Sequence, residues 1–317
     1  MKQFDDTAGL ITFEGVTKRY GSVTALSDVT VSFRAGITGL VGLNGAGKTT
    51  LIKILFRLIQ PTAGRVMVLG EETSRWSAAY RNQLGYVPED DCFLSGLTGI
   101  EAVHFAARMA GLPRLEGLRR AHEILDFCGV QQERYRLVET YSTGMRQKIK
   151  FAQAIVHDPP LLVLDEPTSG LDPQERQAML NRIVTLSRKF GKSIVMSTHI
   201  LPDIEQVCDH LVLIHRGRIC DEGRLDELLR PRDASWTIEV IEGTSDFRDE
   251  LAAAGFTMTE TEQQTWHLRG TESDPASLYR IAQRTGAVLR AVRPARWSLE
   301  RYFVDLVETV ERDRKTP

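Results

Sequence analysis

Gly42-Leu43-Asn44-Gly45-Ala46-Gly47-Lys48-Thr49 stands between an apolar run, Ile37 to Val41, and a helix-like run from Thr50 to Ile59. Its spacing is G-x-x-x-x-G-K-[ST], the phosphate-binding pattern, in the strand–loop–helix setting which that pattern needs. Glycines let the backbone curl so that successive N–H groups point inward at an anion. The helix that follows adds the positive end of its dipole. Asn44, Gly45, Ala46, Gly47, Lys48, Thr49 and Thr50 are therefore the expected contacts of a nucleoside triphosphate. Lys48 brings a mobile cation to the outer phosphates, and the Thr49 hydroxyl offers a ligand to magnesium.

Working outward, the 317 residues suffice for about two domains and a sizeable core. Hydrophobic residues make up 42% and charged residues 26%, as in an ordinary globular protein. A net charge of −2 offers no basic excess, so a nucleic-acid partner is not expected. Cys92, Cys128, Cys208 and Cys220 are scattered without a C-x-x-C pair. That spacing argues against a disulfide framework or a zinc site and fits a reducing compartment. Met1-Lys2-Gln3-Phe4-Asp5-Asp6 is polar and acidic, unlike a signal peptide. No apolar run approaches the roughly 18 residues of a membrane span, so any membrane role is expected to come through a partner.

Leu161-Leu162-Val163-Leu164 is continuously apolar, as in a strand buried on both faces of a parallel sheet, and it ends in Asp165-Glu166-Pro167. A carboxylate at the C-terminal tip of such a strand sits where α/β sheets bind ligands. Asp165 is the expected magnesium ligand, and Glu166 the group that orients or deprotonates an attacking water. A second run, Ser193-Ile194-Val195-Met196, ends in Ser197-Thr198-His199 and puts His199 at a neighbouring tip, within reach of a γ-phosphate. Between the two strands Asp172 reads as an N-cap, Pro173 as the first helical residue and Glu175 as the reciprocal half of a capping box. Met179, Ile183, Leu186 and Phe190 recur at helical spacing as a core-facing stripe, and Gly191 closes the helix.

In order and spacing these motifs resemble the ATP-binding-cassette ATPases over about residues 10–225. The resemblance implies a phosphate-loop α/β fold with a parallel core sheet, an antiparallel β subdomain and a helical subdomain over about 90–158. It implies ATP and Mg2+ as ligands, Lys48, Glu166 and His199 as the catalytic set, and Thr49, Asp165 and Glu89 around the metal. Val16-Thr17-Lys18-Arg19-Tyr20-Gly21 is similar to the family's aromatic adenine loop, although Tyr20 taken alone reads equally as a core or edge-strand residue. Tyr141-Ser142-Thr143-Gly144-Met145-Arg146-Gln147 occupies the place of the L-S-G-G-Q signature, keeping Ser142 and Gly144 but not the second glycine or the glutamine. Ser142 can cap a helix running to about His157. In the family that terminus meets the γ-phosphate held by the other subunit, and Ser169 to Asp172 matches the loop that communicates across the dimer.

Glu89, in Leu84-Gly85-Tyr86-Val87-Pro88-Glu89, stands where the family usually has glutamine. Carboxylate oxygen is at least as good a magnesium ligand as amide oxygen, so Glu89 is expected to keep the metal-sensing role. The stretch from Asp90 to Leu112 carries a helical pattern (Ile100, Val103, His104, Ala107, Met109) where the family receives a cytoplasmic helix of its membrane subunit; helix continues through 118–130.

Y-S-x-G-M, Glu in place of Gln, and one cassette per chain resemble the subgroup serving type-2 exporters. Residues 10–230 are then the ATPase domain. After a linker at Pro231-Arg232-Asp233, residues 231–317 form an accessory α+β domain. Its predicted order is strand 236–240, helix 246–254, strands 257–261 and 265–269, a helix 275–285 capped by Asp274, and strand 288–292. That β-α-β-β-α-β order points to a small ferredoxin-like unit. A last helix opens at Ser298 and carries Leu299, Phe303, Leu306 and Val310. The expected function is the ATP-hydrolysing subunit of an exporter. It would pair with itself or a related cassette and drive an integral-membrane permease from the cytoplasmic face. The alternatives are a soluble cassette ATPase acting on ribosomes or DNA, and a nucleotide-binding regulator without turnover.

Overall fold

The computed structural model describes residues 9–75, 81–230, 234–242, 245–261, 265–270, 275–295, 298–304 and 306–307. Two compact units divide the chain, one built from the residues up to Leu225 and one within Asp226–Thr309. The first contains strands β1 (Ile11–Tyr20), β2 (Val23–Phe33) and β3 (Ile37–Val41), helix α1 (Lys48–Leu55), strands β4 (Ala63–Val68), β5 (Glu71–Glu72) and β6 (Leu84–Val87), and helices α2 (Gly99–Met109), α3 (Arg114–Phe127) and α4 (Thr143–Ile155). It continues with β7 (Leu161–Asp165), α5 (Pro173–Arg188), β8 (Ser193–Ser197), α6 (Leu201–Val207), β9 (His210–His215) and β10 (Arg218–Arg224).

Strands β3, β7 and β8 are buried at every position, the environment that unbroken apolar runs require. They lie in a sheet of order β10-β9-β3-β8-β7-β6. The expected parallel sheet is in fact mixed: β9, β3, β8, β7 and β6 are mutually parallel, whereas β10 returns antiparallel to β9. The cause is local. Arg216 and Gly217 both take positive φ (47° and 74°), the two-residue turn whose twist folds a strand back on its neighbour. A second, antiparallel sheet of order β2-β1-β4-β5 carries Ile11, Phe13, Val16, Val29, Val31 and Phe33 into the same core. Leu51, Ile52, Ile54 and Leu55 of α1 join that core from between the sheets, which seats the helix behind the phosphate loop.

Helix α1 stops at Leu55 rather than continuing to Ile59, because Arg57 turns to φ 53° and Leu58 N–H closes back on the Lys53 carbonyl at 2.9 Å. Helix α2 opens with a capping box of Thr98 and Glu101 and buries Ile100, Val103 and Ala107, but Met109 at its end is 72% exposed. Helix α5 is capped by Asp172 with Pro173 first, as predicted. The reciprocal half of that box is replaced, since the Glu175 carboxylate accepts instead from Lys148 Nζ at 2.8 Å. Met179, Ile183 and Leu186 are buried, whereas Phe190 lies beyond the helix end, 54% exposed. Gly191, at φ 66°, reverses the chain there and donates to the Ser187 carbonyl.

The second unit contains β11 (Ala234–Glu242), α7 (Ser245–Ala253), β12 (Thr257–Thr261), β13 (Thr265–Gly270), α8 (Ala276–Thr285) and β14 (Val288–Pro294). Its sheet has order β12-β13-β11-β14 with every pairing antiparallel. Trp236, Ile238, Phe247, Leu251, Trp266, Leu268 and Leu278 form a core of its own. Residues 299–304 and 306–307 are helical. The predicted linker Pro231–Asp233, the Asp274 cap and Val310 lie outside the described residues.

Candidate active site

Parallel pairing sets the tips of β3, β8, β7 and β6 side by side, and the predicted chemistry collects there. After β3 the chain enters the phosphate loop. A side chain at Gly42 would meet the Ile214 carbonyl at 2.3 Å, so only glycine fits where the loop crosses β9. Gly47, at φ 113°, caps α1 without any side-chain bond, and the first turn of α1 holds no acidic residue. The open N–H groups and the dipole of that turn face outward with no built-in anion to answer them. Lys48 is 8% exposed and donates to the carbonyls of Gly42 (2.7 Å) and Leu43 (3.4 Å), folded over its own loop.

Asp165 is 2% exposed. Its Oδ1 accepts a hydrogen bond from Ser197 Oγ, and its buried Oδ2 has no hydrogen-bond partner. Burial raises its carboxyl above the usual range; the Ser197 bond opposes this, the negative charges of Glu89 and Glu166 add to it, and Lys48 opposes it again. A buried carboxylate oxygen without a donor is costly unless a cation takes that place. With the Thr49 hydroxyl at the head of α1 and the exposed Glu89 at the tip of β6, this oxygen-only donor set fits magnesium.

Glu166 is 7% exposed and takes φ 49°, a left-handed conformation uncommon for a residue with a side chain. Three bonds hold its backbone: its N–H donates to Ser197 O (3.0 Å), while its carbonyl accepts from Gln147 Nε2 (2.9 Å) and Ser169 N–H (3.2 Å). Its carboxylate accepts from Thr198 Oγ1 (3.2 Å) and from His199 Nδ1 (2.9 Å). The His199 side chain is otherwise 60% exposed. An acidic residue with its oxygen held beside a half-free imidazole is equipped to receive a proton from a water at the site.

Other predicted residues lie apart from this group. Tyr20 ends β1 with 47% exposure, and the Lys18 ammonium sits 4.9 Å from its ring centroid. Ser142 caps α4, accepting from the Met145 N–H at 3.3 Å. A methyl added at Gly144 would touch only Leu171, at 3.5 Å, so packing within this chain does not demand glycine there.

Sequence reasoning missed Ser197, Thr198 and Gln147. The two hydroxyls stood beside His199 in Ser-Thr-His, the only signal for them, and Gln147 closed the signature-like stretch without a role of its own.

A family model described as ABC transporter matches residues 26–169. The chain is 30% identical over 301 residues to the bacitracin transport ATP-binding protein BcrA of Enterococcus faecalis, covering 94% of this chain and 96% of that one. It is 32% identical over 310 residues to a Nod factor export ATP-binding protein of Cupriavidus metallidurans, covering 96% and 99%. Among solved structures it is similar to an ATP-binding subunit of an ABC transporter, with 34% identity, a TM-score of 0.64, and 70% of this chain and 92% of that chain covered. A dimeric cassette in a post-hydrolysis state with ADP and phosphate shares the fold, with a TM-score of 0.63 at 23% identity over 68% of this chain and 98% of that one.

Proposed function

The chain belongs to the ABC transporter family, and on that premise we propose that it is the ATP-hydrolysing subunit of an exporter, closing as a dimer over ATP to drive a separate membrane permease. Export is favoured over import by a relative named for Nod factor export that aligns along almost the whole chain. That name and the bacitracin transport name of the other relative weigh against a role on ribosomes or DNA. Among the described residues no helix is long and apolar enough to cross a membrane. We assign the transport path to the permease and place this chain at its cytoplasmic face, as for an ATP-binding subunit of a transporter.

Turnover, as opposed to mere binding, is carried by one observation: Glu166, buried and strained, with its carboxylate held by Thr198 and His199. In the proposed reaction the loop from Asn44 to Thr50 and the α1 terminus bind the triphosphate, and Lys48 exchanges its loop carbonyls for phosphate oxygens. Magnesium, when bound, neutralises developing phosphate charge; Thr49, Asp165 and Glu89 would hold it. Glu166 takes the proton of the attacking water, and His199 orients that carboxylate and reaches the γ-phosphate. Tyr20 stacks on the adenine, giving up its contact with Lys18.

Ser142 and Gly144 complete the site from the partner subunit. The dispensability of glycine for packing at Gly144 supports close approach by a ligand there. Ser169 to Asp172 forms the contact between subunits, and Asp90 to Leu112 receives the permease. The assigned ATPase domain is 10–230, with a helical subdomain over about 90–158; 231–317 is an accessory module read as ferredoxin-like, a reading supported by its strand order and by its separate core.

Glu166→Gln is the deciding experiment. Phosphate release should fall by about 10²–10⁴-fold, while ATP binding persists and ATP-loaded dimers accumulate on size exclusion. Unchanged phosphate release would remove the catalytic assignment. Gentle solubilisation of the native membrane should also bring down a polytopic protein in near-equal amount.

A further inference from the structure

Helix α4 buries two polar side chains, one turn apart, that the proposed reaction does not use. The Lys150 side chain is 3% exposed; its Nζ donates to the carbonyls of Pro88 (3.1 Å) and Glu89 (2.9 Å) and lies 3.5 Å from Asp91. Gln147 is 4% exposed, and its Nε2 donates to the Glu166 carbonyl. Arg146 adds an ion pair to Asp91 at 2.9 Å. Burying an ammonium is unfavourable unless its protons are satisfied, and here the two carbonyls and Asp91 surround it.

The geometry follows from the sheet. β6 and β7 are adjacent and parallel, so the chain leaves them side by side, into Pro88–Glu89 from one and into Glu166 from the other. Residues three apart on a helix share a face, and this face of α4 spans both tips. Ser142 heads the same helix, about 12 Å from Lys150 at 1.5 Å per residue.

We propose that Gln147 and Lys150 are positioning residues that tie Glu166 and Glu89 to α4. The approach of the partner's nucleotide to Ser142 then sets the metal-side and base-side carboxylates of α4's own subunit together. Each composite site thereby reports its occupancy to the other through a single rigid rod. The proposal rests on the composite-site reading above. It explains why a glutamate keeps an unfavourable backbone conformation, since Gln147 is one of three bonds holding it there.

The test uses the full-length chain with Lys150→Met, Lys150→Arg and Gln147→Leu. Binding of a fluorescent ATP analogue is titrated with Mg2+, hydrogen exchange is followed across residues 88–92, and kcat and KM for ATP are measured separately. Lys150→Met should raise the half-saturating Mg2+ about 10-fold, as loss of an outer-shell support does, and should speed exchange in the 88–92 segment. Lys150→Arg, which keeps the donors, should reverse most of both changes. Gln147→Leu should lower kcat about 5–10-fold, the scale of one buried hydrogen bond, with KM and the Mg2+ titration unmoved.

Should Lys150→Met fail to fold, Asp91→Asn takes its place, with a smaller shift in the same direction. Unshifted Mg2+ dependence and exchange in whichever variant is measured overturn the proposal, as does a Gln147→Leu defect confined to KM. Wild-type protein without ATP-driven dimerisation overturns the composite-site reading and this proposal together. Wild-type turnover with an unshifted variant overturns this proposal alone.

Discussion

Asp165 and Glu166 are neighbours in sequence with opposite surroundings: one ends a strand with an unanswered oxygen, the other bends into a left-handed turn with a carboxylate oxygen held. Because the Asp165 carboxyl is raised in the folded chain, chiefly by burial, that chain holds a proton more tightly than the unfolded one. Its stabilising contribution is therefore present at low pH and is lost as pH rises from the ordinary carboxylate range through the raised value. Asp165→Asn should accordingly raise the melting temperature of the nucleotide-free protein near neutral pH by about 2–4 °C per kcal/mol relieved. The same change should flatten the pH dependence just above the usual carboxylate range and remove magnesium-dependent turnover. Scanning calorimetry over a pH series, beside a phosphate-release assay, checks both halves. At this scale Lys48, Asp165, Glu166 and His199 were legible because strand tips in a parallel sheet are where such groups act. Ser197, Thr198 and Gln147 were not, because hydroxyls and amides occur everywhere and only the fold shows what they hold.

Helix α4 is the element on which capping and ligand reading meet. Its cap needs a side-chain acceptor at Ser142, and aspartate serves that need as well as serine. Ser142→Asp should therefore leave the unfolding free energy within about 0.5 kcal/mol of wild type, while its negative charge, facing a γ-phosphate from the partner, suppresses ATP-driven dimerisation and hydrolysis. Intact monomer binding of ATP with lost dimerisation is the expected pair of results; abolished monomer binding would count against the composite site. The strands β3, β7 and β8 were readable residue by residue, since runs buried on both faces leave no alternation to confuse. Element ends were less so. The stop at Leu55, the diversion of Glu175 to Lys148 and the exposure of Phe190 each depend on one turn residue or one distant cation. The antiparallel return of β10 was equally hidden, because it is decided by Arg216 accepting a positive φ that its side chain disfavours.

At the scale of the whole molecule, the accessory unit has its own sheet and apolar core, and the phosphate loop, Asp165 and Glu166 lie in the other unit. A chain ending at Arg230 should therefore bind ATP with unchanged affinity. If the accessory unit contributes to pairing, its ATP-driven dimer yield should fall. Nucleotide fluorescence and size exclusion separate these outcomes, and an unchanged dimer yield would point to ligand sensing instead. β3, which feeds the phosphate loop, has both its sheet neighbours far along the chain: Ile37 pairs with Ile194, and Thr38 with His210. Such closures are slow, because a long loop must be ordered before the pairing rewards it. During synthesis, then, the loop is made early, and β3 gains one neighbour with β8 and the second only when residues through His215 have emerged. A chain truncated after Arg188 should not be retained on immobilised ATP, whereas one truncated after Arg230 should be, so nucleotide capture marks the completion of this sheet rather than its start.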